Sequence, residues 1–306
     1  MKKLLFVYNP HSGKGEIGNS LSDIVCVFTA AGYDVTVHPT GAQSDGRDYI
    51  AAHAAEYDIA VSSGGDGMLH ELFDGIIASG SGVTCGYIPA GTINDFASSL
   101  KIPKVPKAAA EVIVAGNTAS VDVGVFNGSI FSYVAAFGLF TKVSYATDQN
   151  MKNLLGAAAY FIEILKSMDL KHFREASVRA KISANGEEYQ DEFIFGMAGN
   201  TYSVGGLANL VPEGASMDDG LLDCMFIRTP KSLAELDAIR NAIMTRRYDI
   251  PNLICVKTDR VEMFMDREIE WTLDGEFGGS TDHAVIGVKN RAVTITVPGS
   301  DDKSHP

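Results

Sequence analysis

Apolar runs alternating with helical patterns fill the first 116 residues of the chain. Leu4–Tyr8, Asp34–His38, Asp58–Ser62 and Thr84–Ile88 read as strands, and the first is continuously apolar, as a strand covered on both faces must be. Leu21–Ala31, Arg47–Glu56, Met68–Ala78 and Lys107–Ala115 carry helical spacing, with Gly32 and Gly116 closing the first and last of them. This order admits few architectures. Strands that return through a helix lie parallel, and their helices cover both faces of the sheet. Ligands of such sheets gather at the carboxyl ends of the strands, so the turns there are where function is sought.

The pattern changes near residue 124. Ser177–Ile182, Glu192–Gly196, Leu221–Ile227, Val261–Met265 and Val293–Val297 read as strands, with helices expected at about Leu154–Lys166 and Leu233–Met244. Many strands with few helices point to an antiparallel sheet or sandwich. A length of 306 residues agrees with two domains at roughly 150 residues each.

Charge narrows the partners. The chain has 25 Lys and Arg against 38 Asp and Glu, a net charge of −13, which argues against a broad nucleic-acid binder and against passive adsorption to anionic membranes. The basic start and apolar run of Met1–Pro10 are too short for a signal peptide and read as a buried strand. Leu154–Leu165 is too short to span a bilayer, which takes roughly 20 residues. Cys26, Cys85, Cys224 and Cys255 show no paired spacing and read as thiols of a reducing cytosol.

Three glycine-bearing turns carry the chemistry. Gly13-Lys14-Gly15-Glu16-Ile17-Gly18 spells a dinucleotide fingerprint, but it starts several residues after its strand, and the second strand ends at His38 without an acid for a ribose hydroxyl. It is either a solvated turn or a loop whose backbone and Lys14 touch phosphate. Ser62-Ser63-Gly64-Gly65-Asp66-Gly67 follows the third strand and opens a helix. Glycines let backbone N–H groups approach a polyanion, and Asp66 is either a local cap or a group facing a divalent cation or a reacting hydroxyl. Pro89-Ala90-Gly91-Thr92-Ile93-Asn94-Asp95-Phe96-Ala97 follows the fourth strand, at the same sheet edge, so the two turns can converge on one ligand.

Two later segments set acids against glycine. Leu273-Asp274-Gly275-Glu276 is a surface turn by composition, or a pair in which one carboxylate accepts a hydroxyl proton and the other helps hold a metal. Asp218-Asp219-Gly220-Leu221-Leu222-Asp223 is likewise a turn or a cation site. The seven histidines have no metal spacing, and no G-x-S-x-G nucleophile elbow is present.

Together, Asn9-Pro10 with Ser12-Gly13, Gly64-Gly65-Asp66-Gly67 with Glu71, and the Pro89–Ala97 run closely resemble the diacylglycerol kinase catalytic domain family, which includes bacterial soluble lipid kinases and the sphingosine and ceramide kinases. Val121-Asp122-Val123-Gly124, Gly205-Gly206 with Pro212, Asp219-Gly220-Leu221-Leu222-Asp223 and Asp274-Gly275-Glu276 extend the match in order over nearly the whole chain. The resemblance implies a three-layer α/β nucleotide domain over 1–124, with the strand about 292–306 returning to it. A β-sandwich-like lipid-substrate domain over 125–291 follows, in the manner of NAD kinase and diacylglycerol kinase folds. It implies Mg²⁺-dependent transfer of the ATP γ-phosphate to a lipid hydroxyl.

Carried over by position, Asn9, Ser12, Lys14, Gly64, Gly65, Gly67, Gly91 and Thr92 contact nucleotide. Asp66, Asp95, Asp122 and Glu276 form the Mg²⁺ network. Asp274 or Glu276 is the base, with Asp66 the competing candidate. Asp219, with the carbonyls of Ser216 and Leu221, holds a structural cation. Two positions depart from the family pattern: Met68 stands where Thr is usual, and Ser98 where bacterial members often carry Arg, leaving Lys14 or Lys101 to replace that charge. The implied setting is cytoplasmic, with transient peripheral membrane contact to reach the lipid and room for a homodimer. Lys166, Lys171 and Arg174, beside the Leu154–Leu170 stretch, meet headgroups or form the solvated end of a core helix. The competing readings are a kinase of a soluble hydroxyl substrate of the NAD kinase type and a non-catalytic lipid- or nucleotide-binding homologue.

Overall fold

The computed structural model describes residues 1–12, 17–91, 94–139, 170–202 and 214–299, so the helix expected at Leu154–Lys166 lies outside the described residues. The chain forms two compact units, Met1–Val121 with Arg291–Pro306, and Asp122–Asn290.

The first unit is the parallel α/β sheet. Strands β1 (Lys2–Tyr8), β2 (Tyr33–Pro39), β3 (Ile59–Gly64) and β4 (Thr84–Pro89) line up as β2-β1-β3-β4, every pairing parallel. Leu4 to Val7 are fully buried, the consequence of helices on both faces. Each of these side chains contributes roughly 1.5–3 kcal/mol of burial, which fixes β1 at the sheet centre. The crossovers are α1 (Ile17–Ala30), α2 (Asp45–His53) and α3 (Asp66–Ser79), and α5 (Pro106–Ala115) follows the short α4 (Asp95–Ser99). In α3 the buried positions Leu69, Leu72, Phe73 and Ile76 repeat at three and four residues, so one stripe faces the sheet. Helix α4 was not legible as a helix: it is a single turn whose Asn94 cap sits in the left-handed region at φ 56°.

The second unit is antiparallel. Strand β5 (Thr118–Phe126) carries the chain into it. There follow β6 (Ser129–Phe131), β7 (Val134–Gly138), α6 (Leu170–Ala176), β8 (Val178–Ala184), β9 (Glu187–Gly199), β10 (Leu222–Arg228), α7 (Leu233–Thr245), β11 (Leu253–Thr258), β12 (Arg260–Leu273) and β13 (Glu276–Thr296). The order is β11-β10-β9-β7-β12-β13, with β8 pairing both β9 and β12. Strand β8 shows the alternation such sheets require, with Val178, Ala180, Ile182 and Ala184 buried and Arg179 and Lys181 outside. Trp271 anchors the core between Phe126 and Phe137, its ring centroid 4.8 and 4.9 Å from theirs. Strands β12 and β13 run far beyond the short apolar segments expected there. Polar stretches such as Asp266-Arg267-Glu268 hide them, and shifts in register break the alternation.

The end of β13 returns to the first unit, where Ile295 pairs in parallel with Cys85 of β4 and Val297 N–H donates to Asn117 O at 2.9 Å. No helix among the described residues is long and apolar enough to cross a membrane.

Candidate functional site

Strands β1, β3 and β4 end side by side, and their turns are locked together by backbone contacts. Asn9 N–H donates to Ser63 O at 3.0 Å, and Ala90 N–H to Gly64 O at 2.7 Å. The Asn9 side chain accepts from His11 N–H at 2.8 Å, which bends the chain back so that Ser12 lies over the β3 turn. A Cβ on Gly64 would stand 3.2 Å from Ser12 Oγ and 2.4 Å from Met68 Cγ. The turns of β3 and β4 meet glycine to glycine: a Cβ on Gly91 would lie 2.6 Å from Gly65 Cα and 2.8 Å from Asn94 Oδ1. Nothing larger than glycine fits at Gly91. The turns after β3 and β4 therefore converge through Gly65 and Gly91, and Asn9, Ser12 and Gly64 join them.

Buried polar groups hold this arrangement. Asn94 is 1% exposed and clamps Gly91 from both sides, accepting from its N–H at 3.0 Å and donating to its carbonyl at 2.6 Å. Tyr87 Oη donates to Gly64 O at 2.8 Å and approaches Asn94 Oδ1 at 3.4 Å, so one phenol spans both turns. Burial pushes this phenol well above its usual range, and the Asp66 carboxylate nearby pushes it further, so Tyr87 stays a neutral donor. Neither Tyr87 nor the Asn94 clamp was singled out from sequence. The available signal was a polar-tipped side chain inside an otherwise apolar buried strand.

Asp66 and Asp95 each occupy the first turn of a helix, α3 and α4, and Asp95 is 2% exposed. Gly65 caps α3 without a side-chain bond, its carbonyl accepting from Met68 and Leu69 N–H at 3.0 and 3.3 Å. Met68 is a packing residue, buried against Gly64 and near Gly46 of α2. Glu71 is architectural too: its carboxylate accepts from Ser44 and Arg47 N–H at 2.9 and 3.2 Å and so caps α2. Ser98 Oγ bonds back to Asn94 O at 3.0 Å. Lys101 is exposed on the turn after α4, while Lys104 lines a hollow of about 240 Å³ with Ile17, Pro89, Gly91 and Asn94. Lys14 and Thr92 lie outside the described residues.

The remaining candidates belong to the second unit. Asp122 is fully buried: its Oδ2 accepts from Gly220 N–H at 2.6 Å, its carbonyl from Asn200 Nδ2 at 2.6 Å, and its own N–H donates to Met217 O at 2.6 Å. Asp274 and Gly275, at φ 53° and 86°, form the two-residue turn joining β12 to β13, with Leu273 paired to Glu276. The Asp274 carboxylate accepts from Ser132, Tyr133 and Val134 N–H at 2.6, 2.9 and 3.1 Å, while Tyr133 Oη donates to the Asp274 carbonyl at 3.0 Å. Glu276, by contrast, is exposed, and its carboxylate makes no hydrogen bond among the described residues.

Asp219 Oδ1 accepts from Leu221 N–H at 3.0 Å, and Oδ2 meets Lys257 Nζ at 2.7 Å. Burial pushes the neighbouring Asp223 carboxyl up to about 6, with Lys257 pulling it down and Asp219 raising it. Ser216 Oγ donates to Asp218 at 2.7 Å. Among the described residues, no group of three or more His, Cys, Asp or Glu side chains is placed to hold a metal ion. In α6, Lys171 pairs with Glu175 at 3.8 Å; Lys166 lies outside the described residues.

Both units match known proteins. Residues 3–126 match the model of the diacylglycerol kinase catalytic domain, and 134–297 that of the YegS C-terminal NAD kinase beta sandwich-like domain. A Bacillus subtilis (strain 168) protein named diacylglycerol kinase is 34% identical over 286 residues, 91% of each chain. The chain belongs to the diacylglycerol kinase family. A Staphylococcus aureus (strain MRSA252) diacylglycerol kinase is 32% identical over 283 residues, 91% of this chain and 87% of that one. A solved structure from Bacillus anthracis str. Sterne, provisionally named a diacylglycerol kinase, superposes with a TM-score of 0.84 at 27% identity, covering 98% and 96% of the two chains. The expected fold, an α/β domain followed by an antiparallel sandwich-like one, is the fold of this family.

Proposed function

We propose that the protein is a lipid kinase that transfers the γ-phosphate of ATP to the hydroxyl of a diacylglycerol-like or sphingoid lipid. The observation that carries this reading is the glycine-on-glycine packing of the β3 and β4 turns, in a chain of the diacylglycerol kinase family. Without Cβ atoms, Gly64, Gly65, Gly67 and Gly91 let phosphate oxygens come close to the turn backbone, where the N–H groups of Gly65 and Gly67 can donate to them, that of Gly91 being held by Asn94. Ser12 and Thr92 add hydroxyl donors, Asn9 shapes the first turn, and Lys14 and Lys104 supply the positive charge that Ser98 cannot.

Phosphoryl transfer rests on positioning and charge neutralisation. A bound Mg²⁺ would supply positive charge against the triphosphate. Asp66 and Asp95, hard oxygen donors at the turns, are the residues of the first unit that would hold it. The lipid hydroxyl needs a proton acceptor. Asp274 suits this poorly, because its oxygens already serve three backbone donors. Glu276 has an exposed carboxylate with no such partners among the described residues and takes the role of base, at the tip of a hairpin that Asp274 builds. The protein acts from the cytoplasm with transient contact at the membrane surface that holds its substrate.

The test is transfer of labelled γ-phosphate from Mg²⁺–ATP to diacylglycerol, sphingoid base, ceramide and phosphatidylglycerol in mixed micelles. Label in a lipid hydroxyl supports the reading. Label only in water-soluble acceptors overturns it in favour of a soluble-substrate kinase. Liposome co-sedimentation without turnover overturns it in favour of a binding protein.

A further inference from the structure

The loop to which the family resemblance gives a structural cation already meets a positive charge of the chain itself. Lys257 on β11 stands in register opposite Asp223 on β10, so the ladder presents both side chains on one face. Its Nζ lies 2.7 Å from Asp219 Oδ2, donates to Gly214 O at 2.9 Å and stands 4.0 Å from Asp223 Oδ1. The other Asp219 oxygen accepts from Leu221 N–H at 3.0 Å, so both oxygens of the carboxylate expected to bind metal are engaged. The side chains of Lys257 and Asp219 are about two-thirds covered, and that of Asp223 is 4% exposed. An ammonium offers three donors and one charge, which matches one carbonyl and two carboxylates; a divalent ion asks for six or more oxygens.

We infer that Lys257 Nζ takes the place of the structural divalent cation, so that the 214–221 loop is held in this protein without metal. The loop in turn supplies the Gly220 N–H that Asp122 accepts, which ties the ammonium to the seating of a candidate site acid. The inference holds whichever lipid is phosphorylated.

Thermal unfolding of the full chain without nucleotide tests it, in EDTA and in millimolar MgCl₂ or CaCl₂, with Asp219→Asn alongside to separate ions bound at other acids. The wild type is expected to show the same midpoint in all three solutions, or a shift that D219N reproduces in full. Lys257→Met is expected to melt several degrees lower in EDTA, to recover with added Mg²⁺ or Ca²⁺, and to lose that recovery when D219N is added. Lys257→Arg, which keeps the charge, is expected to remain indifferent to the ions. A wild-type midpoint that falls on chelation and is insensitive to it in D219N overturns the inference. So does a K257M protein with the wild-type midpoint, or one whose lowered midpoint ignores both ions.

Discussion

The turns of the two units are built from the same residue types, glycine and acid, and use them in opposite ways. In the first unit the glycines make contact with each other, Gly65 against Gly91, and uncharged groups hold them: Asn94 on Gly91, Tyr87 on Gly64. The Gly91 N–H is taken up by Asn94, whereas Gly65 caps α3 without a side-chain bond. In the second unit the acids close on their own chain. Asp274 serves Ser132, Tyr133 and Val134, Asp122 serves Gly220, and Asp219 divides itself between Leu221 and Lys257. A carboxylate beside a glycine is therefore not a chemical group by virtue of that pairing. Its role follows from whether backbone donors already use its lone pairs.

The largest expected effect comes from filling the gap between the two glycine turns. Gly91→Ala forces a Cβ against Gly65 backbone, and overpacking of this kind costs about 1–3 kcal/mol. Displacing the turn by even an ångström is expected to lower kcat/KM for ATP by roughly 100-fold. Steady-state kinetics with varied ATP measure it; a variant near wild type shows that the close approach is incidental.

Next is Asp274→Ala, which strands three buried backbone donors and is expected to lose about 3 kcal/mol in urea unfolding. An unfolding curve that does not move breaks the contrast between architectural and chemical acids. Tyr87→Phe removes a single bond to Gly64 O, so about 1 kcal/mol of stability and a few-fold rise in KM for ATP are expected, with kcat changed less.

The smallest effect is a pH dependence. Glu235 accepts from Lys231 N–H at 2.8 Å and Asn252 Nδ2 at 3.1 Å in the capping box of α7, and the backbone bond above all holds its carboxyl below the usual value. A lowered folded value means that the ionised form stabilises the protein at neutral pH, and that this contribution fades as pH falls through the acid range. The midpoint gap between wild type and Glu235→Gln should therefore narrow from pH 6 to pH 3. A gap that stays constant removes the carboxylate from the cap.

Much of this was legible in the sequence because the glycine turns sit at strand ends, and strand ends of a parallel sheet are where ligands bind. Gly64, Gly65 and Gly91 could be read that way from position alone. Asp274 could not: Asp-Gly-Glu spells the same letters whether the acid takes a proton or three N–H groups, and only the Ser132–Val134 segment leading into β7, far away in sequence, decides. Lys257 was invisible for the same reason, since the β10–β11 register brings it to Asp219. Tyr87 was hidden by type, because an aromatic in a buried strand reads as core.

Glu276, the exposed acid at the hairpin that Asp274 builds, is the proposed base on which turnover depends most directly. Turnover of Glu276→Gln with Mg²⁺–ATP and saturating diacylglycerol in mixed micelles, measured beside its unfolding midpoint, tests it. The prediction is a loss of at least about 100-fold in kcat, the scale of a missing general base, with stability within about 0.5 kcal/mol of wild type. Wild-type turnover in that variant would contradict it.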